Sequence, residues 1–318
     1  MKYHRKLSFL IFLLLPVFAF AQVKPATSFR IVPLGVLGGA DESNLSAYML
    51  AAKGTNNYIC LDAGTILAGI AKAQAYKTFT VPAADVLRKY IKGYFISHAH
   101  LDHLAGMVMN APDDSTKNIY GLKSTLETIK THYFTWKSWA NFADDGGAPL
   151  LKKYHYKPLE PGIETAIENT NLQVQVFPLA HSNLTSTAFL VRSNDSYVLY
   201  LGDTGADEIE KSQNLHNLWV AIAPLVKAKK LKAIMIEVSF PGEQPEKSLF
   251  GHLTPRLLMN EMGELSKLSN TSLKGFNVVV THLKPPYKNI TQIKAELKAG
   301  NKMQLNLIYP QQGKALEF

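Results

Sequence analysis

The chain has 318 residues, of which 47% are hydrophobic and 19% are charged, so it has the composition of a globular protein with a sizeable buried core. Its net charge is +9, and the first 21 residues contribute +3 of it because they contain three basic and no acidic residues, which leaves +6 for the remainder. Basic residues are not interleaved with aromatic residues, which disfavours extended nucleic-acid binding. The one cysteine, Cys60, excludes an intramolecular disulfide, and we expect it to be buried as a small hydrophobic residue.

The N-terminus has the features of a secretory leader, residues 1–21. A short basic start precedes an apolar run over residues 7–20, and the run ends in a small-x-small triplet. An uncleaved membrane anchor is the alternative, but the run is shorter than the roughly 20 residues that a span needs and contains Pro16. We expect cleavage before Gln22, which is not the cysteine that a lipid anchor requires. A single domain, residues 22–318, would then occupy the periplasm or the extracellular space without membrane attachment.

The spacing of apolar residues predicts two halves of similar organisation. In the first half we predict strands at 29–36, 46–52, 57–61 and 93–97, and helices at 82–90 and 101–109. In the second half we predict strands at 172–178, 187–191, 197–201, 233–238 and 276–280, and helices at 215–226, 255–268 and 289–298. Because strands come early and helices late in each half, we expect an α/β fold in which two mixed β-sheets pack between flanking helices.

Residues 131–147 form an aromatic and loop-like segment between the two halves. Its aromatic side chains can form the core of a small insertion, which we favour, or they can line a substrate pocket. In the second case they would be able to stack against a base.

A dense group of metal-binding residue types follows the predicted strand at 93–97. His98, His100, Asp102 and His103 lie within six residues, where an extended segment turns into a helix. Imidazole suits zinc and other first-row divalent metals, and a carboxylate beside it favours hydrolytic chemistry. The cluster therefore predicts a metal site.

Three further residues of the same types lie just beyond the ends of apolar strands: His181, Asp203 and His282. Loops at strand ends can bring together side chains from distant parts of the chain. Four ligands cannot complete the coordination shells of two metal ions. These three residues are therefore the candidates for the remaining ligand positions.

The order HxHxDH followed by His, Asp and His resembles the metallo-β-lactamase superfamily. The segment 98–112 is similar to the signature of class II cyclic-nucleotide phosphodiesterases, with Asn110 where that signature usually has serine. Supporting similarities, in segments such as 250–255 and 281–285, extend over residues 29–285. The resemblance implies a metallo-β-lactamase-like αββα sandwich with its active site at one edge.

The resemblance also implies a site for two divalent metal ions. Its ligands would be His98, His100 and His181 for the first ion, Asp102, His103 and His282 for the second, and Asp203 for both. Zinc is the first candidate, and manganese and iron are the alternatives. Asp62 is expected behind the cluster, where it would accept a hydrogen bond that orients a ligand.

The residues expected to act in catalysis are His252, Glu237 and Asp102. The pattern of Glu237 followed by His252 is similar to paired motifs of tRNA 3′-processing endonucleases in the same superfamily. We hypothesise that His252 is the general acid and that Glu237 orients it. Alternatively, His252 only hydrogen-bonds the substrate phosphate or a group behind the metal ligands. Asp102 belongs both to this set and to the metal ligands.

The predicted activity is hydrolysis of a 3′,5′-cyclic nucleotide, cyclic AMP or cyclic GMP, to the 5′-monophosphate through a metal-bound hydroxide. The alternatives are another hydrolase of the same fold, such as a β-lactamase, a lactonase or a different phosphodiesterase, and a non-catalytic protein that binds metal or ligand. The expected partner is the small-molecule substrate. The oligomeric state stays open, with a homodimer as one alternative.

Overall fold

Two seven-stranded β-sheets stack face to face in the computed structural model, which describes residues 28–318. The predicted leader, residues 1–21, and its cleavage position lie outside the described residues. Within the described part of the chain, no helix is long and apolar enough to cross a bilayer.

The first sheet contains β1 (Phe29–Gly35), β2 (Ala47–Ala52), β3 (Tyr58–Leu61), β4 (Ile91–Phe95), β5 (Lys117–Gly121), β6 (Tyr154–Pro158) and the C-terminal β14 (Leu316–Glu317). Its spatial order is β14-β1-β2-β3-β4-β5-β6. Strands β3 to β6 are parallel, and the other neighbours are antiparallel.

The second sheet contains β7 (Thr165–Ala166), β8 (Gln173–His181), β9 (Leu184–Ser193), β10 (Ser196–Leu201), β11 (Leu231–Glu237), β12 (Asn277–Thr281) and β13 (Asn306–Ile308). Its spatial order is β13-β12-β11-β10-β9-β8-β7. Strands β10 to β13 are parallel and the remaining neighbours antiparallel, so both sheets are mixed in the same way.

Helices cover the outer face of each sheet. They are α1 (Leu67–Ala75), α2 (Ala83–Asp85), α3 (Leu101–Asn110), α4 (Lys123–Thr128), α5 (Asp207–Glu210), α6 (Asn214–Lys227), α7 (Pro255–Ser269) and α8 (Tyr287–Gly300). Two of them, α2 and α4, continue into π-helical turns at Val86–Tyr90 and Ile129–Tyr133, and short 3₁₀ turns lie at Ala111–Asp113 and Glu246–Ser248. The predicted αββα sandwich is therefore confirmed.

Apolar side chains fill three layers. The inner faces of the two sheets meet in a layer that contains an edge-to-face contact of Phe95 with Phe189, with 5.7 Å between the ring centroids. A second layer lies between the first sheet and α1 and α3, and a third lies between the second sheet and α6, α7 and α8. Cys60 is fully buried in the second layer, as expected.

The structure contains elements that apolar spacing did not predict, among them α1, α4, β5 and β6. Helix α1 includes Gly69, which weakens the helical pattern. That glycine is needed because a Cβ atom there would lie 2.2 Å from the carbonyl oxygen of Leu34. Strand β6 reads Tyr-His-Tyr-Lys-Pro and lacks apolar alternation, so its position beside β5 defines it as a strand.

The aromatic segment 131–147 contributes to the core of the first sheet. Phe134 is fully buried in the layer between that sheet and its helices. Trp136 and Trp139 lie at the surface, with 44% and 38% of their area exposed. The buried aromatic residue of this segment therefore packs into the main core and not into a separate one.

Candidate metal centre

The predicted metal ligands meet at one edge of the sandwich, where strands of both sheets end. The loop after β4 and the start of α3 supply the ligands from the first sheet, and the ends of β8, β10 and β12 supply those from the second. The first group comprises His98, His100, Asp102 and His103, and the second comprises His181, Asp203 and His282. The site therefore depends on both halves of the chain.

The turn into α3 brings the first group together. His100 occupies the N-cap position of α3 and has extended backbone angles, φ −75° and ψ 150°. The helix begins at the next residue, Leu101. Asp102 and His103 consequently lie in the first helical turn, as predicted. A carboxylate oxygen of Asp102 accepts a hydrogen bond from the backbone N–H of Gly39 at 2.9 Å, which fixes its direction.

The position of His181 differs slightly from the prediction. We expected it beyond the end of a strand, but it is the last residue of β8. The cause is the long hairpin of β8 and β9, whose pairing continues to His181 opposite Leu184. The strand therefore holds this side chain directly.

The first predicted ligand set converges on one point. The Nε2 atom of His98 lies 2.9 Å from Nδ1 of His100, and Nε2 of His181 lies 3.4 Å from the same Nδ1 atom. The Nε2 atoms of His98 and His181 each lie 3.9 Å from Oδ2 of Asp203.

The second ligand set converges beside the first. The Nε2 atoms of His103 and His282 lie 3.1 Å apart, and Nε2 of His282 lies 3.2 Å from Oδ2 of Asp102. The Oδ2 atom of Asp203 lies 3.3 Å from each of these two Nε2 atoms. This oxygen therefore faces both sets, as the bridging position requires.

These distances agree with two metal coordination shells. Ligand atoms about 2.0–2.1 Å from a tetrahedral zinc ion lie about 3.3 Å from one another. Within each set the distances given above range from 2.9 to 3.9 Å. The donors are imidazole nitrogens and carboxylate oxygens, which are ligands for zinc and for manganese or iron. The residues therefore fit two divalent ions.

Asp62 lies behind the cluster, where the sequence analysis placed it. Its carboxylate lies 2.8 Å from Nδ1 of His103, which leaves Nε2 of that ring to face the metal position. It also accepts hydrogen bonds from the backbone N–H and the hydroxyl of Ser97, at 2.7 and 2.9 Å, and from the hydroxyl of Tyr200 at 2.6 Å. Asp62 thus joins β3, β4 and β10 beneath the site.

Two other ligands are oriented through their Nδ1 atoms. His181 donates from Nδ1 to the carbonyl of Gly251 at 2.8 Å, and Nδ1 of His282 lies 2.9 Å from the hydroxyl of Ser239. Gly251 has φ +77°, and a Cβ atom there would lie 2.4 Å from the backbone nitrogen of Ser182. Only glycine allows this close approach.

The electrostatics of the site favour metal binding. Burial, with a contribution from neighbouring His103, lowers the pKa of His98 well below its usual value. Burial also lowers the pKa of His181 to about 4. Burial opposes the charge of Asp203, but the imidazoles around it, led by His103 and His282, hold its pKa well below the usual value. Neutral His98 and His181 therefore lie beside a charged Asp203 carboxylate, and these are the protonation states that metals bind.

His103 differs from His98 and His181. Burial disfavours its charged form, but the carboxylates of Asp203, Asp62 and Asp102 outweigh that effect and raise its pKa well above the usual value. A protonated ring has no lone pair for a metal, so metal binding must displace this proton.

His252 lies over the cluster between one ligand of each set. Its ring centroid is 4.8 Å from that of His181 and 5.4 Å from that of His282. Its Nδ1 atom lies 2.7 Å from the carboxylate of Glu237, and its Nε2 atom lies 2.8 Å from the ammonium of Lys284. Glu237 is thus in position to orient His252, as hypothesised.

A cavity of about 430 Å³ opens beside His98 and His100. Its other walls come from α4 and from the turn between β8 and β9, and they consist of Ser124, Thr125, Thr128, Asn183, Leu184 and Thr185. The polar groups on these walls are hydroxyls and one amide, and the aromatic residues of segment 131–147 do not line this cavity.

Sequence reasoning missed several residues that support the cluster. Ser97, Ser239 and Lys284 each lie within two positions of a predicted site residue, so their place in the motifs was an available signal. The fourth, Tyr200, lies within strand β10 and had no such signal.

Solved structures with the same arrangement identify the fold. Unliganded yeast PDE1 matches with a TM-score of 0.81 at 23% identity, covering 92% of this chain and all of that one. A metallo-β-lactamase fold protein of Bacillus subtilis matches with a TM-score of 0.61 at 15% identity, covering 91% of this chain and 99% of that one. The sandwich with its cluster of histidines and aspartates is therefore a metallo-β-lactamase fold.

The sequence comparisons identify the family. The family model for class-II cAMP phosphodiesterases matches residues 27–313. The 3′,5′-cyclic-nucleotide phosphodiesterase of Aliivibrio fischeri is 41% identical, covering 97% of this chain and 98% of that protein. The cAMP/cGMP-dependent 3′,5′-cAMP/cGMP phosphodiesterase A of Dictyostelium discoideum is 30% identical, covering 90% of this chain and 80% of that protein. This chain belongs to the class-II cAMP phosphodiesterases and so to the phosphoric diester hydrolases, which confirms the predicted family.

Replacement of Asp62 by asparagine should weaken metal binding. The asparagine amide would place an N–H group opposite hydrogen-bond donors that the Asp62 carboxylate now accepts from. His103 would therefore lose the hydrogen bond that orients it. We expect metal affinity to fall about 10- to 100-fold, as for other residues behind metal ligands. Metal content after dialysis against graded chelator measures this loss, with the exposed Asp195→Asn variant as control. If the two variants retain metal equally at every chelator concentration, the proposed role of Asp62 is contradicted.

Proposed function

We propose that this protein is a two-metal phosphodiesterase that hydrolyses 3′,5′-cyclic AMP, and also cyclic GMP, to the 5′-monophosphate. The single observation that supports this most strongly is the convergence of both ligand sets on Oδ2 of Asp203 beside His252. Family membership supports the substrate class, and the donor set supports zinc, with manganese or iron as alternatives.

The proposed metal ions would be held by the two ligand sets described above. When bound, such ions lower the pKa of water and neutralise the negative charge of a phosphodiester. The protein's own residues would hold the ions in place. Asp203 would contribute to both sites, while Asp62 and Ser239 set the directions of His103 and His282.

Substrate binding is supported by the cavity beside His98 and His100. Its volume of about 430 Å³ is within the usual range for small-molecule sites. The hydroxyl groups of Ser124 and Thr128 on one wall and the amide of Asn183 on the other can hydrogen-bond a nucleoside. On this proposal the base does not stack on the aromatic residues of segment 131–147, because they do not line this cavity.

A substrate panel tests the proposal directly. Metal-quantified protein, expected to contain about two ions per chain, should hydrolyse cyclic AMP to 5′-AMP. It should leave a cephalosporin and an acyl lactone intact, because the family and the site favour phosphodiesters. Turnover is measured by chromatography, and a chelator-treated sample serves as control. Hydrolysis of the cephalosporin or the lactone without hydrolysis of cyclic AMP would refute the proposal.

The proposed role of His252 is general acid. Hydrolysis breaks the bond between phosphorus and the 3′ oxygen, and that oxygen must gain a proton. His252 can deliver it from Nε2, while Glu237 accepts a hydrogen bond from Nδ1 and stabilises the protonated ring. Burial disfavours the charged ring, but Glu237 outweighs it and raises the pKa of His252.

The His252→Ala variant should lose about 10²- to 10⁴-fold in kcat for cyclic AMP, the usual contribution of a general acid. Bis-nitrophenyl phosphate should be affected much less, because nitrophenolate leaves without protonation. Steady-state kinetics with both substrates at measured metal content provide the comparison. A loss of equal size for both substrates would assign His252 to phosphate binding instead.

We further propose that the protein is exported and that residues 1–21 are removed. The basic start, the apolar run and the small-x-small triplet support this proposal. Expression in a bacterial host followed by N-terminal sequencing of the periplasmic fraction should find Gln22 as the first residue. Recovery of the chain in the cytoplasm with residues 1–21 intact would contradict export.

A further inference from the structure

Lys284 is a half-buried residue beside the site, two residues after the predicted ligand His282. Its ammonium is 2.8 Å from Nε2 of His252 and 5.5 Å from the ring centroid of Phe240. No carboxylate among residues 28–318 forms a salt bridge with it. A half-buried cation without an anionic partner thus lies directly beside the proposed reaction centre.

The two ring nitrogens of His252 contact different partners on opposite sides of the ring. Glu237 is fully buried and contacts Nδ1, so Nε2 points toward the opposite, more open side, where Lys284 lies. An ammonium has three N–H donors and no acceptor. One donor is directed at Nε2 of His252, and the other two are free to bind an incoming anion.

We propose that Lys284 binds a phosphoryl oxygen of the substrate, an inference that rests on the proposed function. A phosphate group is a stronger acceptor for an ammonium than a neutral imidazole nitrogen, because the bond is then assisted by both charges. Binding of the substrate therefore draws the ammonium from His252 to the phosphate. Nε2 of His252 is then free to face the leaving oxygen.

This assignment makes Lys284 a determinant of substrate affinity as well as a switch for His252. The ring cannot donate from Nε2 while that atom accepts a hydrogen bond from Lys284. Once the ammonium turns to the phosphate, Nε2 can take up a proton from solvent and pass it to the leaving 3′ oxygen. A lysine that only supported the loop would have neither effect.

Three variants separate charge from hydrogen bonding. Lys284→Met removes both, Lys284→Gln keeps a neutral donor, and Lys284→Arg keeps the charge. Lys288→Gln is the matched control, because it removes one positive charge from an exposed position four residues away. KM and kcat for cyclic AMP, the inhibition constant for inorganic phosphate and the metal content are measured for each.

The Met and Gln variants should raise KM for cyclic AMP and the inhibition constant for phosphate by about 10- to 100-fold, as expected for a lost charge-assisted hydrogen bond. The Arg variant should retain most of the affinity, and Lys288→Gln should stay within about twofold of the wild type. Metal content should be unchanged in all four variants.

Two results would overturn the proposal. If the Gln variant matches the wild type and the Met variant loses only kcat, Lys284 merely positions His252. If the phosphate inhibition constant is the same in the wild type and all variants, Lys284 does not bind the anion. Should the wild type fail to hydrolyse cyclic AMP, the proposed function falls, and calorimetric titration of phosphate into the same variants still tests Lys284.

Discussion

Asp203 presents a charged carboxylate at the junction of the two sheets, with only 2% of its surface exposed. Such a group costs several kcal/mol to bury unless opposite charges and hydrogen bonds compensate. Here the compensation comes from imidazoles of both halves of the chain, with His103 and His282 each 3.3 Å from the same oxygen. The two candidate ligand sets therefore meet at this one buried oxygen, whose charge the imidazoles compensate.

Each sheet also supplies one buried carboxylate whose hydrogen bonds support the site from behind the predicted ligands. Asp62, at the end of β3, orients His103, while Glu237, at the end of β11, binds both Ser239 and His252. These two buried carboxylates anchor the two sides of the centre. Each lies at the carboxyl end of a strand, so the positions of the ligands depend on the pairing of whole sheets and not on the flexibility of single loops.

Both the proposed reaction and the proposed role of Lys284 follow from an asymmetry across His252. The Glu237 side of the ring is buried and negative, whereas the Lys284 side is more open and positive. The positive side attracts an anionic substrate, whereas the negative side repels it. On the proposals above, the substrate phosphate would therefore lie on the Lys284 side of His252.

Much of this organisation was predictable from sequence because the relevant signals are local. Four ligand types within six residues, and a histidine or aspartate near the end of three further apolar strands, are patterns of adjacent positions. They were sufficient to name the seven candidate ligands that the structure brings together, and the resemblance that these residues carry predicted the sandwich and the family. Elements without a local pattern, such as β6 and α1, were missed because their neighbours in the sheet define them.

The tertiary structure alone decided which side chains meet. Tyr200 donates to Asp62 across 138 positions, and Lys284 contacts His252 across 32, distances along the chain at which no residue pattern carries information. It also placed Phe134 of the aromatic segment in the core and kept the aromatic residues of that segment out of the cavity lining. The sequence by itself thus determined the chemistry available at this site. The packing of the two sheets determined the geometry of the site, because the position of each contact between them depends on the pairing of all the strands in both sheets.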